Sequence, residues 1–232
     1  MAETSTDEGK TWVWIAFAPE YRLFLALVVG SRTQEQADQL IQRTAHVLAG
    51  SGPLFCSDGL DEYSVALLDC YCVTKEYPRT GRRGRPRKPK QLPAPDLRYA
   101  QVVKRREGRR LVEVIRKVVY GNPEEIPQQS ISTSLLERQN LTIRQDNARL
   151  TRKTLAFSKD QDDLRAQLAL YIAYANLVRK HRALRLPVNE LVQGKTRRRW
   201  TPRTPAMAAR RTYHVWSLRE LLIYKHYITS SH

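Results

Sequence analysis

Leu54-Phe55-Cys56-Ser57-Asp58-Gly59 is a short apolar run that ends on a carboxylate and a glycine. A run of this kind, bounded by turn formers, reads as a buried strand over residues 54–57 that delivers Asp58 at its carboxyl end. On its amino-terminal side, residues 33–49 place Ala37, Leu40, Ile41, Ala45 and Leu48 on one helical stripe. Thr33 and Gln36 read there as a capping box and Gly50 as the stop. Earlier still, residues 12–17 and 22–29 are rich in β-branched and aromatic side chains, with Pro19-Glu20 between them, and read as an antiparallel pair. On the carboxyl side a short helix at about 60–68 and a strand at about 71–75 follow. The order strand, strand, helix, strand, helix, strand predicts an α/β fold, a mixed sheet flanked by helices.

From Arg79 to Lys90 the character changes. Seven of these twelve residues are basic, none is acidic, and Gly and Pro interrupt any periodicity. This is an exposed basic linker. Residues 99–104 and 110–120 flank Glu107-Gly108 and predict a β-hairpin that turns at the glycine. Two helices are expected beyond it. One spans about 135–156; the other runs from a Ser158–Gln161 capping box to about Arg185, ahead of Pro187. Leu164, Leu168, Tyr171, Ile172, Ala175 and Val178 form the buried stripe of the second. A basic tail closes the chain, with a short helix near 217–224.

Forty Lys and Arg against 23 Asp and Glu give a net charge of +17 over 232 residues, which points to a polyanionic partner. Three cysteines without metal-type pairing fit a reduced, intracellular setting. Cys70-Tyr71-Cys72 falls on one strand face and lacks the His or Cys cluster of a zinc site. The amino terminus lacks a signal-peptide layout, and the longest apolar run, residues 23–29, is far too short to cross a membrane. No membrane partner is expected.

Asp58 is either a hard oxygen ligand on a rigid strand end, as magnesium-dependent phosphoryl transfer requires, or one half of an Asp-Gly turn. Glu137 has the same two sides. It completes a capping box with Ser134, or it stands on a polar face with Asn140, Arg144 and Asn147 that holds a metal and binds phosphate. Arg138, Arg149, Arg152 and Lys153 extend that positive surface. Arg82, Arg83, Arg85, Arg87 and Lys88 surround an Arg-Gly-Arg-Pro core like that of an AT-hook, in which flanking arginines enter a narrow A·T minor groove. A plain basic linker has the same composition. His181 lies near the end of the second long helix, at the site or merely on the surface. Trp12 and Trp14 share a strand face and read as packing residues.

In their order along the chain these segments resemble insertion-sequence transposases of the DDE type, in the insertion-sequence-one-like group. The matching pieces are Trp12-Val13-Trp14-Ile15-Ala16, Val29-Gly30-Ser31-Arg32-Thr33, Ser57-Asp58-Gly59 with Tyr63, and Tyr99-Ala100-Gln101-Val102-Val103-Lys104. The most specific is Glu137-Arg138-Gln139-Asn140-Leu141-Thr142-Ile143-Arg144 followed by Arg152-Lys153-Thr154. Leu170-Tyr171, Asn176, His181, the segment 203–209 and His214-Val215-Trp216-Ser217 continue it. The resemblance implies a ribonuclease-H-like catalytic fold that cuts transposon ends and joins the freed 3′ hydroxyls to target DNA with Mg²⁺. It casts Asp58 and Glu137 as the second and third acids of a triad. It implies residues 11–185 as the catalytic domain, with an insertion at about 77–131, between a loose segment 1–10 and a basic tail 186–232. It further implies DNA as partner, a possible homo-oligomer, and a cytoplasmic, nucleoid-associated place.

The departures bear on activity. In the family the first acid stands on a strand before the one at residues 12–17, within an Asp-Glu-Leu-Trp or similar motif. Here Asp7 and Glu8 precede Trp12 in a polar segment with no apolar strand. The zinc-binding or helix-turn-helix region that often precedes the catalytic domain is also missing. Arg210-Arg211-Thr212-Tyr213-His214 stands where Gly-Leu-Thr-Asp-His is usual. The expectation is an incomplete or second-frame product, inactive alone, whose missing part an upstream frame supplies. The alternative is a non-catalytic DNA-binding protein derived from a transposase.

Overall fold

Strand β1, Trp12–Ala18, turns through four residues into β2, Leu23–Gly30, and the two pair with each other. So short a connection joins only antiparallel strands. In the computed structural model, residues 11–48, 52–77, 87–108, 110–151, 155–156, 158–188 and 200–224 are described. The chain divides into two compact units, one of residues 1–14 and 28–157, the other of residues 15–27 and 158–232.

In the first unit, helix α1 (Gln34–Val47) buries Ala37, Leu40, Ile41 and Thr44, one stripe at helical spacing. It packs beside α2 (Glu62–Cys70), and Gln34 Nε2 donates to the Glu62 carbonyl at 3.0 Å. The expected capping box at Thr33 does not form. Its hydroxyl turns to the Gln36 side chain and leaves the backbone N–H groups uncapped by it. Gly50 lies outside the described residues.

Strand β3, Leu54–Ser57, coincides with the predicted run. It lies parallel to β6 (Arg98–Glu107), Leu54 opposite Arg98 and Ser57 opposite Gln101. β6 continues into the antiparallel β7 (Arg110–Tyr120) through a two-residue turn, where Gly108 has φ +59°, a left-handed value that a side chain disfavours. Ala100, Val102, Ile126 and Ile131 form the core beneath this sheet, with Leu54, Cys56 and Val118 packed against it. Burying one such side chain contributes about 1.5–3 kcal/mol.

β4 (Cys72–Lys75) pairs with β5 (Lys90–Pro93), a strand hidden in the sequence by the Arg-, Lys- and Pro-rich composition around it. Cys70 ends α2 while Cys72 starts β4, so the two thiols do not share a strand face as expected. The fold is mixed α/β. Its described strands form separate sheets, β1–β2, β3–β6–β7 and β4–β5 with a short β8–β9 pair, rather than one continuous sheet.

Helix α3 covers Ser134–Asp146 and stops ten residues short of the expected end. The reason is Asn147, which is buried and extended. Its backbone N–H and its Nδ2 both donate to the Ile143 carbonyl, at 3.0 and 2.8 Å, so its side chain competes with helix continuation.

In the second unit, α4 (Gln161–Leu177) is capped by Asp160, whose carboxylate accepts from the Asp162 N–H at 2.7 Å. Ser158, the expected cap, instead donates to the Asp160 carbonyl. Leu164, Leu168 and Ala175 of the predicted stripe are buried. α4 ends at Leu177 because the N–H groups of Val178 and Arg179 both close on the Tyr174 carbonyl. Asn176 brackets Phe24 of β2, accepting from its N–H at 3.0 Å and donating to its carbonyl at 2.9 Å. Beyond α4 come β8 (Leu186–Pro187) paired with β9 (Trp200–Thr201), then α5 (Pro205–Ala208) and α6 (Leu218–Ile223). α6 opens on a capping box of Ser217 and Glu220. No helix among the described residues is long and apolar enough to cross a membrane.

Candidate functional site

Asp58 leaves the end of β3 exposed, and its Oδ1 accepts from the Leu60 N–H at 3.4 Å, the geometry of an Asx turn. Gly59 follows because the chain there runs close to β6. A Cβ at Gly59 would lie 3.1 Å from Val103 Cγ2.

Beneath Asp58 is a buried polar chain. Ser57 Oγ donates to the Asp58 carbonyl at 2.7 Å and lies 2.7 Å from Tyr99 Oη. A serine has one proton to give, so the tyrosine donates to the serine. Gln101 Nε2 in turn donates to Tyr99 Oη at 3.1 Å. Tyr99 is fully buried and Gln101 nearly so. Each link is satisfied in one direction, so the chain holds the Asp58 backbone to the sheet. Burial raises the Tyr99 phenol above its ordinary pKa, against its hydrogen bonds with Ser57 and Gln101. Burial, and next the Asp58 carboxylate, also push the Tyr63 phenol well up, so both tyrosines stay protonated donors at neutral pH.

Glu137 sits in the first turn of α3, four residues after the N-cap Thr133. That is one position too far along for the expected capping box with Ser134, which is itself inside the helix. The carboxylate instead receives the Lys104 ammonium on both oxygens and the Thr133 hydroxyl on Oε1 at 2.6 Å. Partial burial works against ionisation. The bonds from Lys104 and Thr133, with the charges of Lys104 and Arg106, outweigh it and hold the carboxyl below the usual glutamate range.

Both acids therefore meet the carboxyl half of β6, Asp58 through Gly59 at Val103 and Glu137 through Lys104. Ligands of parallel strands bind outside such carboxyl ends. No hydrogen bond or ion pair among the described residues joins the two carboxylates, and no group of three or more His, Cys, Asp or Glu residues able to hold a metal occurs among them. The donors are the hard oxygens Mg²⁺ prefers, but they number two side chains, and Lys104 engages both Glu137 oxygens. This donor set does not fit a resident Mg²⁺ pair.

Arg82, Arg83, Arg85, Arg152 and Lys153 lie outside the described residues. Arg87 and Lys88 are exposed just before β5, with the Arg87 guanidinium 5.6 Å from the Tyr77 ring centre. Arg144 is exposed on α3 and Asn140 half-buried, whereas Asn147 is a buried helix end and leaves the proposed phosphate face. His181 belongs to the second unit. It opens a 3-10 turn over Arg182–Leu184, where its Nδ1 accepts from the Ala183 N–H at 3.3 Å, which assigns any proton of the neutral ring to Nε2. Trp14 is buried and bonds to the Ser31 carbonyl, as expected of a packing residue, while Trp12 is exposed with Arg32 over its ring.

Sequence reasoning passed over Lys104, Thr133, Ser57, Tyr99 and Gln101 as site residues. The signal for the last two was a polar residue and a tyrosine two apart in an otherwise apolar strand. For Lys104 the signal exists only in the register between β6 and α3. No protein-family model, curated protein or solved structure matches the chain.

Proposed function

We propose that the chain acts on DNA as part of an insertion-sequence DDE transposase, built on a ribonuclease-H-like sheet, with Asp58 and Glu137 as two of its acids. One observation carries the reading. The parallel pairing of β3 with β6 sets Asp58 at a strand's carboxyl end, and the helix bearing Glu137 is bonded to that same half of β6. The net charge of +17 supports a polyanionic partner. Cutting and joining of DNA ends would draw on Mg²⁺ that two carboxylates alone do not assemble, so the chain as it stands is assigned DNA binding and no catalytic step. The test is incubation of the chain with end-containing duplex and Mg²⁺ or Mn²⁺, beside Asp58→Ala and Glu137→Ala variants. Nicking that both variants abolish would restore catalysis to this chain. Nicking that neither affects removes the assigned site.

A second reading, a non-catalytic DNA-binding protein, is favoured by the Lys104–Glu137 ion pair, in which an internal cation neutralises the acid. Duplex binding without metal, unchanged by Glu137→Gln, supports it. A strict need for divalent cations in binding counts against it.

A further inference from the structure

The β3–β6 pairing ends where Ser57 faces Gln101, and beyond that point β6 and β7 run on with no third strand among the described residues. Residues 102–107 of β6 lie against residues 110–116 of β7. Six residues at about 3.3 Å each carry this ribbon about 20 Å past the end of β3. Every described residue from Lys104 to Lys117 is exposed. That span holds seven Lys and Arg and only two Glu. Lys104 is held by Glu137, Arg116 donates to the Ile131 carbonyl, and Arg105 lies 3.9 Å from Glu113. The side chains of Arg106 and Arg110 on the ribbon, and of Lys117 at its base opposite Gln101, make no hydrogen bond or ion pair with a described residue, and the charge of Arg106 also reaches Glu137. Among these cations Leu111, Val112, Val114 and Ile115 stand 38–49% exposed.

We propose that this ribbon is an arm that enters the major groove of duplex DNA. Two antiparallel strands fit the groove, about 12 Å wide, and its floor offers thymine methyl groups to apolar side chains while phosphates line both rims. Cations that merely guard an edge strand would need no apolar neighbours. An apolar protein partner would bury Arg110 and Lys117 without counter-charge, at high cost. Charge and shape together select DNA. The choice of partner rests on the DNA reading above, but the site is a distinct one, made of the ribbon's basic and apolar side chains and bordering Glu137 only through Lys104 and Arg106.

The test compares the full chain with an Arg106→Ala, Arg110→Ala, Lys117→Ala variant, by fluorescence anisotropy on a 30-base-pair DNA duplex and an RNA duplex of the same sequence across a salt series. The variant should bind the DNA duplex about tenfold or more weakly, with a salt slope lower by about 2–3. The RNA duplex, whose deep and narrow major groove excludes the ribbon, should lose much less. Arg106→Lys, Arg110→Lys, Lys117→Arg should keep DNA binding. If the alanine variant does not fold, Arg110→Glu alone carries the same comparison. An unchanged DNA affinity and slope, an equal loss on both duplexes, or a changed mass of the free protein in sedimentation would each overturn the arm. Wild-type protein that binds no duplex DNA fails the DNA-binding function itself. Wild-type binding with an unaffected variant fails the arm alone.

Discussion

The ammonium of Lys104 lies against both carboxylate oxygens of Glu137, tying the first turn of α3 to the middle of β6. An acid in a candidate phosphate-handling site thus has its counter-cation supplied from within the chain. Arg106, two residues further along β6, adds to the same positive field.

Replacing that cation should open Glu137 to others. A half-exposed ion pair is worth up to about 1 kcal/mol, which withholds at most about fivefold in affinity. Lys104→Met should therefore tighten Tb³⁺ binding about two- to fivefold, read by luminescence sensitised through the protein's aromatic residues. Adding Glu137→Gln should cancel the gain. Equal Tb³⁺ affinity for wild type and Lys104→Met would separate Glu137 from any cation site.

The same pair predicts a pH dependence of stability. The folded carboxyl is held below its unfolded value of about 4.3, so its stabilisation is fully present above that pH and fades as pH falls through the folded value. Glu137→Gln should cost less than about 1 kcal/mol in urea unfolding at pH 7, since the group is half exposed. The difference from wild type should shrink towards nothing near pH 3. A gap that widens on acidification would show the sign to be wrong.

Tyr99→Phe breaks the buried chain at its middle. Half-buried Ser57 loses its donor, and buried Gln101 loses its nearer acceptor and keeps only the Leu60 carbonyl at 3.5 Å. The expected loss is about 1–3 kcal/mol of unfolding free energy, with the hydroxyl as the only atom removed. Since the chain ends on the Asp58 carbonyl, amide exchange at residues 58–60 should also quicken. Wild-type stability with wild-type exchange would mean that the hydrogen bonds do not hold the turn.

How far the sequence foretold this site depends on what kind of information each part needs. β3 and the β6–β7 hairpin were legible because an apolar run ending at Asp58-Gly59, and two strand-like segments flanking Glu107-Gly108, are local signals, and Gly108 does take a left-handed backbone. The caps were legible in residue type but not in position. Thr133, Asp160 and Ser217 are all cap formers, yet the expected caps at Ser134 and Ser158 lie one and two residues away from Thr133 and Asp160, and Ser217 was read only as part of a short helix. Helix α3 reads as continuous through Asn147 because propensity weighs a buried asparagine weakly, while its side chain takes the last carbonyl. β5 lies beside proline and basic residues that mask a strand. The meeting of Glu137 with Lys104 depends on register between a strand and a helix 33 residues apart, which no spacing rule contains.

Asn176 offers the sharpest test in the second unit. Its carboxamide satisfies both the N–H and the C=O of Phe24, doing for β2 what a neighbouring strand would do. Phe24 is buried, so water replaces neither bond readily. Asn176→Ala should cost about 2–4 kcal/mol, two modest hydrogen bonds plus the penalty of leaving a buried backbone pair unsatisfied. Asn176→Asp separates the two halves of the contact. The carboxylate still accepts from the Phe24 N–H but faces the Phe24 carbonyl with charge, which raises its folded pKa above the unfolded value of about 3.9. A raised pKa contributes stability that is fully present below the unfolded value and lost as pH rises through the folded one. Asn176→Asp should therefore be the weaker protein at pH 7 and recover relative to wild type as pH falls towards 4, where the protonated acid again donates to the carbonyl. Urea unfolding of the three proteins at both pH values measures this. An alanine variant as stable as wild type, or an aspartate variant whose deficit grows on acidification, would show that the side chain of Asn176 does not hold β2.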